Sequence, residues 1–133
     1  MRTCYLDASA LVKLGTVEAE TDALRAALSA YDARVTNRLA TVEVARALAR
    51  RGATTARLVG AVADAFTGLA IMELDHAIAD AAGHIAPSTL RSLDAIHLAS
   101  ALTLAPELEA LVTYDARLAD AARAAGLTVV TPA

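Results

Sequence analysis

The sequence predicts an α/β fold three layers deep, with helices on both faces of a central, mainly parallel sheet of about five strands. Three observations predict it. Short apolar runs such as Thr3-Cys4-Tyr5-Leu6 and Leu127-Thr128-Val129-Val130 alternate with longer stretches of helical period. That alternation implies βα units and a sheet buried on both sides. The chain has 133 residues and no linker, repeat or low-complexity tract, so residues 1–133 are expected to form one domain with its own core.

The elements follow in order. Thr3–Leu6 reads as a buried first strand, and Ser9–Leu14 as a short helical turn ending near Gly15. Glu18 and Glu20 suit a helix start, where negative charge complements the dipole, and that helix is expected to run to about Ala30. Arg34-Val35-Thr36 is the second strand. A helix from about Arg38 to Arg51 follows and stops at Gly52. Thr54 or Thr55 caps the next helix, which ends near Gly68. Leu69–Met72 is the third strand, and Asp75 opens a helix that ends before Pro87. A long helix over Leu93–Leu104, with Ser92 as its expected cap, stops at Pro106. Leu111–Tyr114 is the fourth strand, Asp115–Ala125 a helix stopped by Gly126, and Leu127–Val130 the fifth strand.

Composition narrows the function classes. Hydrophobic residues make up 56% and aromatics 3%, so the core is aliphatic and disorder is excluded. The net charge of −3 argues against a protein that coats nucleic acid through bulk positive charge, but permits a local basic rim around an acidic site. Cys4 is the lone cysteine, which rules out an intrachain disulfide and a cysteine metal cage. Asp7 interrupts the N-terminal apolar run too early for a signal peptide, and no run reaches the roughly 18 residues of a membrane span. A cytoplasmic location is the expectation.

Four acids stand out. Asp7 and Asp115 each follow a strand, Asp94 lies in the first turn of the long helix Leu93–Leu104, and Glu43 lies on the helix after the second strand. Each has an ordinary explanation by itself. Asp7 and Asp115 are good N-caps, and Asp94 suits a helix dipole. Glu43 can pair with Arg46 on a surface stripe that also holds Leu39 and Arg50. Taken jointly they point further, because strand ends of an open α/β sheet converge on the edge where ligands bind. Two carboxylates about 4 Å apart repel by about 4 kcal/mol at an effective dielectric of about 20, so a gathered set calls for a cation. Oxygen-only donors suit Mg²⁺ or Mn²⁺, and the matching chemistry is metal-assisted phosphodiester hydrolysis. Ser9 adds a hydroxyl at the same edge, and Lys13, Arg46 and Arg50 are candidates to guide a phosphate backbone. His97, one turn beyond Asp94, reads as a packed histidine or a hydrogen-bonding neighbour of the site; His76 and His84 read as structural, and Asp120, the next candidate metal-site acid after the four, reads as lying on the exposed face of the last helix.

The pattern resembles the PIN-domain ribonucleases, specifically the toxins of VapBC-type toxin–antitoxin pairs. The resemblance is carried by Leu6-Asp7-Ala8-Ser9-Ala10-Leu11-Val12-Lys13-Leu14, Glu43 in its helix, Leu93-Asp94-Ala95-Ile96-His97-Leu98-Ala99, Val112-Thr113-Tyr114-Asp115 and the closing Ala121–Leu127. It spans nearly the whole chain in order. It implies a doubly wound PIN-like domain that cleaves RNA with Mg²⁺ or Mn²⁺. Asp7, Glu43, Asp94 and Asp115 map onto the family's acidic quartet, with Asp115 at its most variable position. A homodimer, inhibited by a small antitoxin whose tail fills the acidic groove, is also implied. Asn37 departs from the pattern, standing where many relatives carry Ser or Thr.

Rival readings fit less well. A haloacid-dehalogenase-like phosphotransferase wants a second Asp two residues after Asp7, where this chain has Ser9. A response-regulator receiver needs a lysine near the last strands, and Lys13 is the only lysine. The stronger alternative is a non-catalytic module on the same fold whose acidic groove holds a basic partner tail.

Overall fold

The computed structural model describes residues 1–133. In chain order, β1 spans Thr3–Leu6, α1 Ala8–Gly15, α2 Thr21–Leu28, β2 Ala33–Asn37, α3 Leu39–Arg50, α4 Thr55–Phe66, β3 Ala70–Met72, α5 His76–Gly83, α6 Ser92–Thr103, β4 Leu108–Val112, α7 Ala116–Ala124 and β5 Val129–Val130. The five strands form one sheet in the order β3-β2-β1-β4-β5, and every neighbouring pair is parallel. The α/β/α expectation therefore holds.

Strand alternation sorts the core onto two faces. Cys4, Leu6 and Val112 join the apolar residues of α1, α2, α3 and α4 in one cluster. Tyr5, Val35 and Leu111 join α6 and α7 through Leu98, Ala101, Leu118, Ala121 and Ala122 in the other. Gly15 closes α1 where it meets α3 and α4; a Cβ there would stand 2.9 Å from Leu48 Cδ1 and 3.0 Å from the Ala61 carbonyl oxygen. Cys4 is fully buried, and burial pushes its thiol up to about 12. No helix is long and apolar enough to cross a membrane.

Three boundaries differ from the sequence reading for local reasons. The second helix starts at Thr21, because Glu18 and Glu20 are drawn to the Lys13 ammonium at 2.9 and 2.8 Å and the Thr21 hydroxyl accepts from the Glu18 N–H. The fourth strand lies at Leu108–Val112, not Leu111–Tyr114: β4 begins opposite Thr3, and Thr113 and Tyr114 turn their polar groups to Asp7 and Ser9. Ser92 is not the cap of α6. It is the first helical residue, Arg91 holds the cap position, and no side chain caps that end.

The order 3-2-1-4-5 places the topological switch between β1 and β4, since the chain winds from β1 towards β2 on one side and reaches β4 on the other. Ligands of open α/β sheets bind beyond the carboxyl ends of the strands at that crevice. Asp7 follows β1 and Asp115 follows β4 by three residues.

Candidate active site

Asp7 is the floor of the crevice. It is buried and caps α1, its Oδ1 accepting from the Ala10 N–H at 3.1 Å. The Ser9 hydroxyl donates to Oδ1 at 2.7 Å and the Thr113 hydroxyl to Oδ2 at 2.6 Å. Burial pushes the Asp7 carboxyl above the usual carboxylate value, against the pull of the Thr113 and Ser9 hydrogen bonds. The cap reading of Asp7 therefore holds, and the cap leaves its carboxyl at the carboxyl end of β1.

Asp94 enters from the first turn of α6. It too is buried, and its Oδ2 has no hydrogen-bond partner. Burial raises its carboxyl, and the charges of Asp115 and Asp7 raise it further; Arg91 opposes them. The Arg91 guanidinium lies 3.6 Å from Asp94 Oδ2 and 3.5 Å from Asp115 Oδ2. Asp115 caps α7, its Oδ1 accepting from the N–H groups of Arg117 and Leu118 at 2.9 and 3.1 Å, which leaves Oδ2 at the rim.

Glu43 does not pair with Arg46. Its Oε1 meets His97 Nε2 at 2.6 Å, and Tyr5 Oη lies 2.7 Å from His97 Nδ1. His97 is buried, so the packed and hydrogen-bonded readings of it hold together. Glu43 and Ser9 line a cleft of about 290 Å³ with Lys13, Ala47, Arg50, Arg51 and Tyr114. Arg46 and Arg50 are exposed on α3. Lys13 is engaged: besides Glu18 and Glu20, its ammonium sits 4.6 Å from the centre of the Tyr114 ring. His76, His84 and Asp120 are exposed; Asp120 lines a shallow pocket with Thr113 and Asp115 and pairs with Arg123 at 3.6 Å. Asn37, at the end of β2, is buried; its amide donates to the Ser100 hydroxyl at 3.0 Å and its Oδ1 accepts from the Leu39 N–H that begins α3.

The acids thus share one edge without closing on one another. No three His, Cys, Asp or Glu side chains form a ready ligand set. Glu43 is tied to His97, and one oxygen of Asp115 is spent on the α7 cap. The donor set nevertheless fits a hard dication. Mg²⁺ keeps several waters and binds through one or two carboxylates, and a buried carboxylate oxygen that takes no hydrogen bond and faces only an exposed guanidinium, at the same sheet edge as a second buried carboxylate, supplies such a seat. Sequence reasoning assigned no role to Thr113, Tyr5 or Arg91. The available signal for Thr113 was a hydroxyl placed two residues before a strand-end acid.

A parallel 3-2-1-4-5 sheet with acids at its switch point marks an acidic-site α/β domain. A PIN domain family model matches residues 4–124, and the chain belongs to that family. It is 45% identical over 132 residues to Ribonuclease VapC46 of Mycobacterium tuberculosis, covering 99% of each chain. It is 44% identical over 133 residues to Ribonuclease VapC35 of the same species, covering 96% of each. The fold also matches the crystal structure of VapC20 of that organism, a toxin described as cleaving the sarcin–ricin loop. The TM-score is 0.75 at 18% identity, with 97% of this chain and 99% of that one covered.

Proposed function

We propose that the protein is a divalent-metal-dependent endoribonuclease, the toxin of a type II toxin–antitoxin pair, acting in the cytoplasm as a homodimer restrained by a small antitoxin. The observation that carries this reading is the buried Asp94 Oδ2, which takes no hydrogen bond and meets only the exposed Arg91 guanidinium at 3.6 Å, at the same sheet edge as the buried carboxyl of Asp7. The ribonuclease relatives matched over nearly their full length support it.

Asp7 and Asp94 would hold Mg²⁺ or Mn²⁺, with Asp115 Oδ2 and Glu43 completing the shell through water. The cation supplies Lewis acidity towards the scissile phosphate and makes a deprotonated water accessible near neutral pH. The chain's own groups do the rest. Ser9 and Thr113 fix the rotamer of Asp7 through its two oxygens. Arg50 in the cleft and Arg46 on the exposed face of α3 would attract the RNA backbone, and Lys13 would contribute once RNA phosphate competes with Glu18 and Glu20 for its ammonium. Ser9 is placed to touch substrate at the mouth of the site.

Calorimetric titration with Mn²⁺, paired with sequencing of RNA ends after expression of wild type and Asp94→Asn, tests the proposal. Expected are one strong Mn²⁺ site and new RNA ends, both lost in Asp94→Asn. Metal binding without cleavage of any RNA would instead support the non-catalytic module with a basic-tailed partner.

A further inference from the structure

Glu43 differs from the other three acids in what holds it. Asp7, Asp94 and Asp115 stand on turns whose backbone fixes them, because each lies at a strand exit or in the first turn of a helix. Glu43 is in the second turn of α3 on a longer side chain, with no cap to make and no arginine partner. Free rotation of such a side chain would leave its carboxylate undirected. What it meets is a line of polar groups from the opposite face of the fold: Tyr5 on β1, then His97 on α6, then Glu43.

The line is buried and ordered. Tyr5 is fully buried and His97 is 1% exposed. The two rings meet edge to face with centres 5.8 Å apart. A carboxylate only accepts hydrogen bonds, so Nε2–H of His97 donates to Glu43 Oε1. The Tyr5 hydroxyl meets the other ring nitrogen, Nδ1, at 2.7 Å and braces the ring from behind. Glu43 Oε1 is consumed, and Oε2 takes no hydrogen bond from the protein. Asn37 clamps the start of the same helix, joining the Leu39 N–H to Ser100, one turn beyond His97 on α6. α6 therefore presents Asp94 directly to the crevice and, three residues on, His97 to the carboxylate of α3.

We propose that His97 is a positioning residue: backed by Tyr5, it fixes the Glu43 carboxylate in one rotamer, with Oε1 occupied and Oε2 directed to the ion's hydration shell at the mouth of the Ser9–Arg50 cleft. This rests on the metal-dependent nuclease reading. Groups that hold a metal-site carboxylate change metal affinity or activity by about 10- to 100-fold when removed.

The test compares wild type with His97→Leu, His97→Gln and Tyr5→Phe, measuring Mn²⁺ affinity by calorimetry, kcat and KM on a cleaved RNA, and the ¹⁵N resonances of the His97 ring. His97→Leu should lower both Mn²⁺ affinity and kcat about 10- to 100-fold with KM for RNA little changed, since Arg46 and Arg50 are untouched. His97→Gln, which keeps an N–H near Nε2, should recover most of the loss. Tyr5→Phe should move both quantities in the same direction by less. The wild-type ring should show a protonated Nε2. A folded His97→Leu with wild-type Mn²⁺ affinity and kcat overturns the inference, as does a ring whose Nε2 carries no proton. If His97→Leu does not fold, wild-type values in Tyr5→Phe overturn it. A wild type that neither binds Mn²⁺ nor cleaves RNA overturns the functional reading itself, and the inference with it.

Discussion

The Thr113 hydroxyl donates to Asp7 Oδ2 across 2.6 Å and accepts from the Asp115 N–H at 3.0 Å, so one side chain ties the exit of β4 to the exit of β1. Thr113→Val keeps the shape and removes both bonds. The buried Asp7 Oδ2 then loses a partner, at about 1–3 kcal/mol, and the part-buried Asp115 N–H loses one at a smaller cost. The expected result is a lower Tm and weaker Mn²⁺ binding, read by thermal unfolding and calorimetry.

Asp7→Asn should abolish cleavage while sparing the fold. The Asn oxygen can still accept from Ser9 and Ala10, and the Thr113 hydroxyl can turn to accept from the new amide. The pH dependence has a definite sign. Burial raises the Asp7 and Asp94 carboxyls above 3.8, so the native state keeps protons that the unfolded chain releases. Stability from these groups is fully present below the ordinary carboxylate value and is lost as pH rises through the raised native values. Without metal, the wild-type Tm should therefore fall over that window more steeply than the Tm of Asp7→Asn. Mn²⁺ at about 100 times its Kd should add about 2.7 kcal/mol to wild type and nothing comparable to the variant. Melts in chelator and in Mn²⁺ at several pH values check this.

Arg91 should oppose the cation. Its guanidinium faces Asp94 and Asp115 from an exposed position and holds the Asp94 carboxyl down. An exposed charge of this kind is worth about 0.2–1 kcal/mol. Arg91→Met is expected to tighten Mn²⁺ binding by up to about fivefold, as read by titration at low salt, with the gain shrinking as salt is raised.

Gly15→Ala should destabilise the fold by about 1–3 kcal/mol, because the new methyl meets the Leu48 side chain and the Ala61 backbone together. Chemical denaturation measures it. Gly60→Ala, with nothing within 4 Å of the added carbon, is the control and should be neutral or slightly stabilising.

The layer order and the strand exits were legible because they rest on local signals. Apolar runs, caps and glycine stops put β1, α1 and α7 within a residue or two of their observed ends, and Asp7 and Asp115 at their caps. The β4 boundary was not, because Val112-Thr113-Tyr114 continues a β-rich run. The strand ends where the Thr113 side chain and the Tyr114 N–H bond Asp7 and Ser9, while the Thr113 N–H still donates to the Val130 carbonyl of β5. Glu43 was legible as a candidate and misleading as a neighbour: a helical sequence advertises the i+3 arginine, while the partner, His97, comes from 54 positions away. Ser92 shows the reverse error. A preferred cap residue stood at the right place, but the chain entered α6 one residue earlier.

β1 runs between β2 and β4, and the Asp7 amide itself donates to the Val112 carbonyl. Such central amides exchange with deuterium only when the whole molecule opens, whereas exposed connections fluctuate at little cost. The deepest acid of the pocket is thus stapled to the last part of the molecule to melt. Opening the pocket's floor is therefore expected to cost nearly as much as unfolding the sheet, which couples the chemistry to the fold.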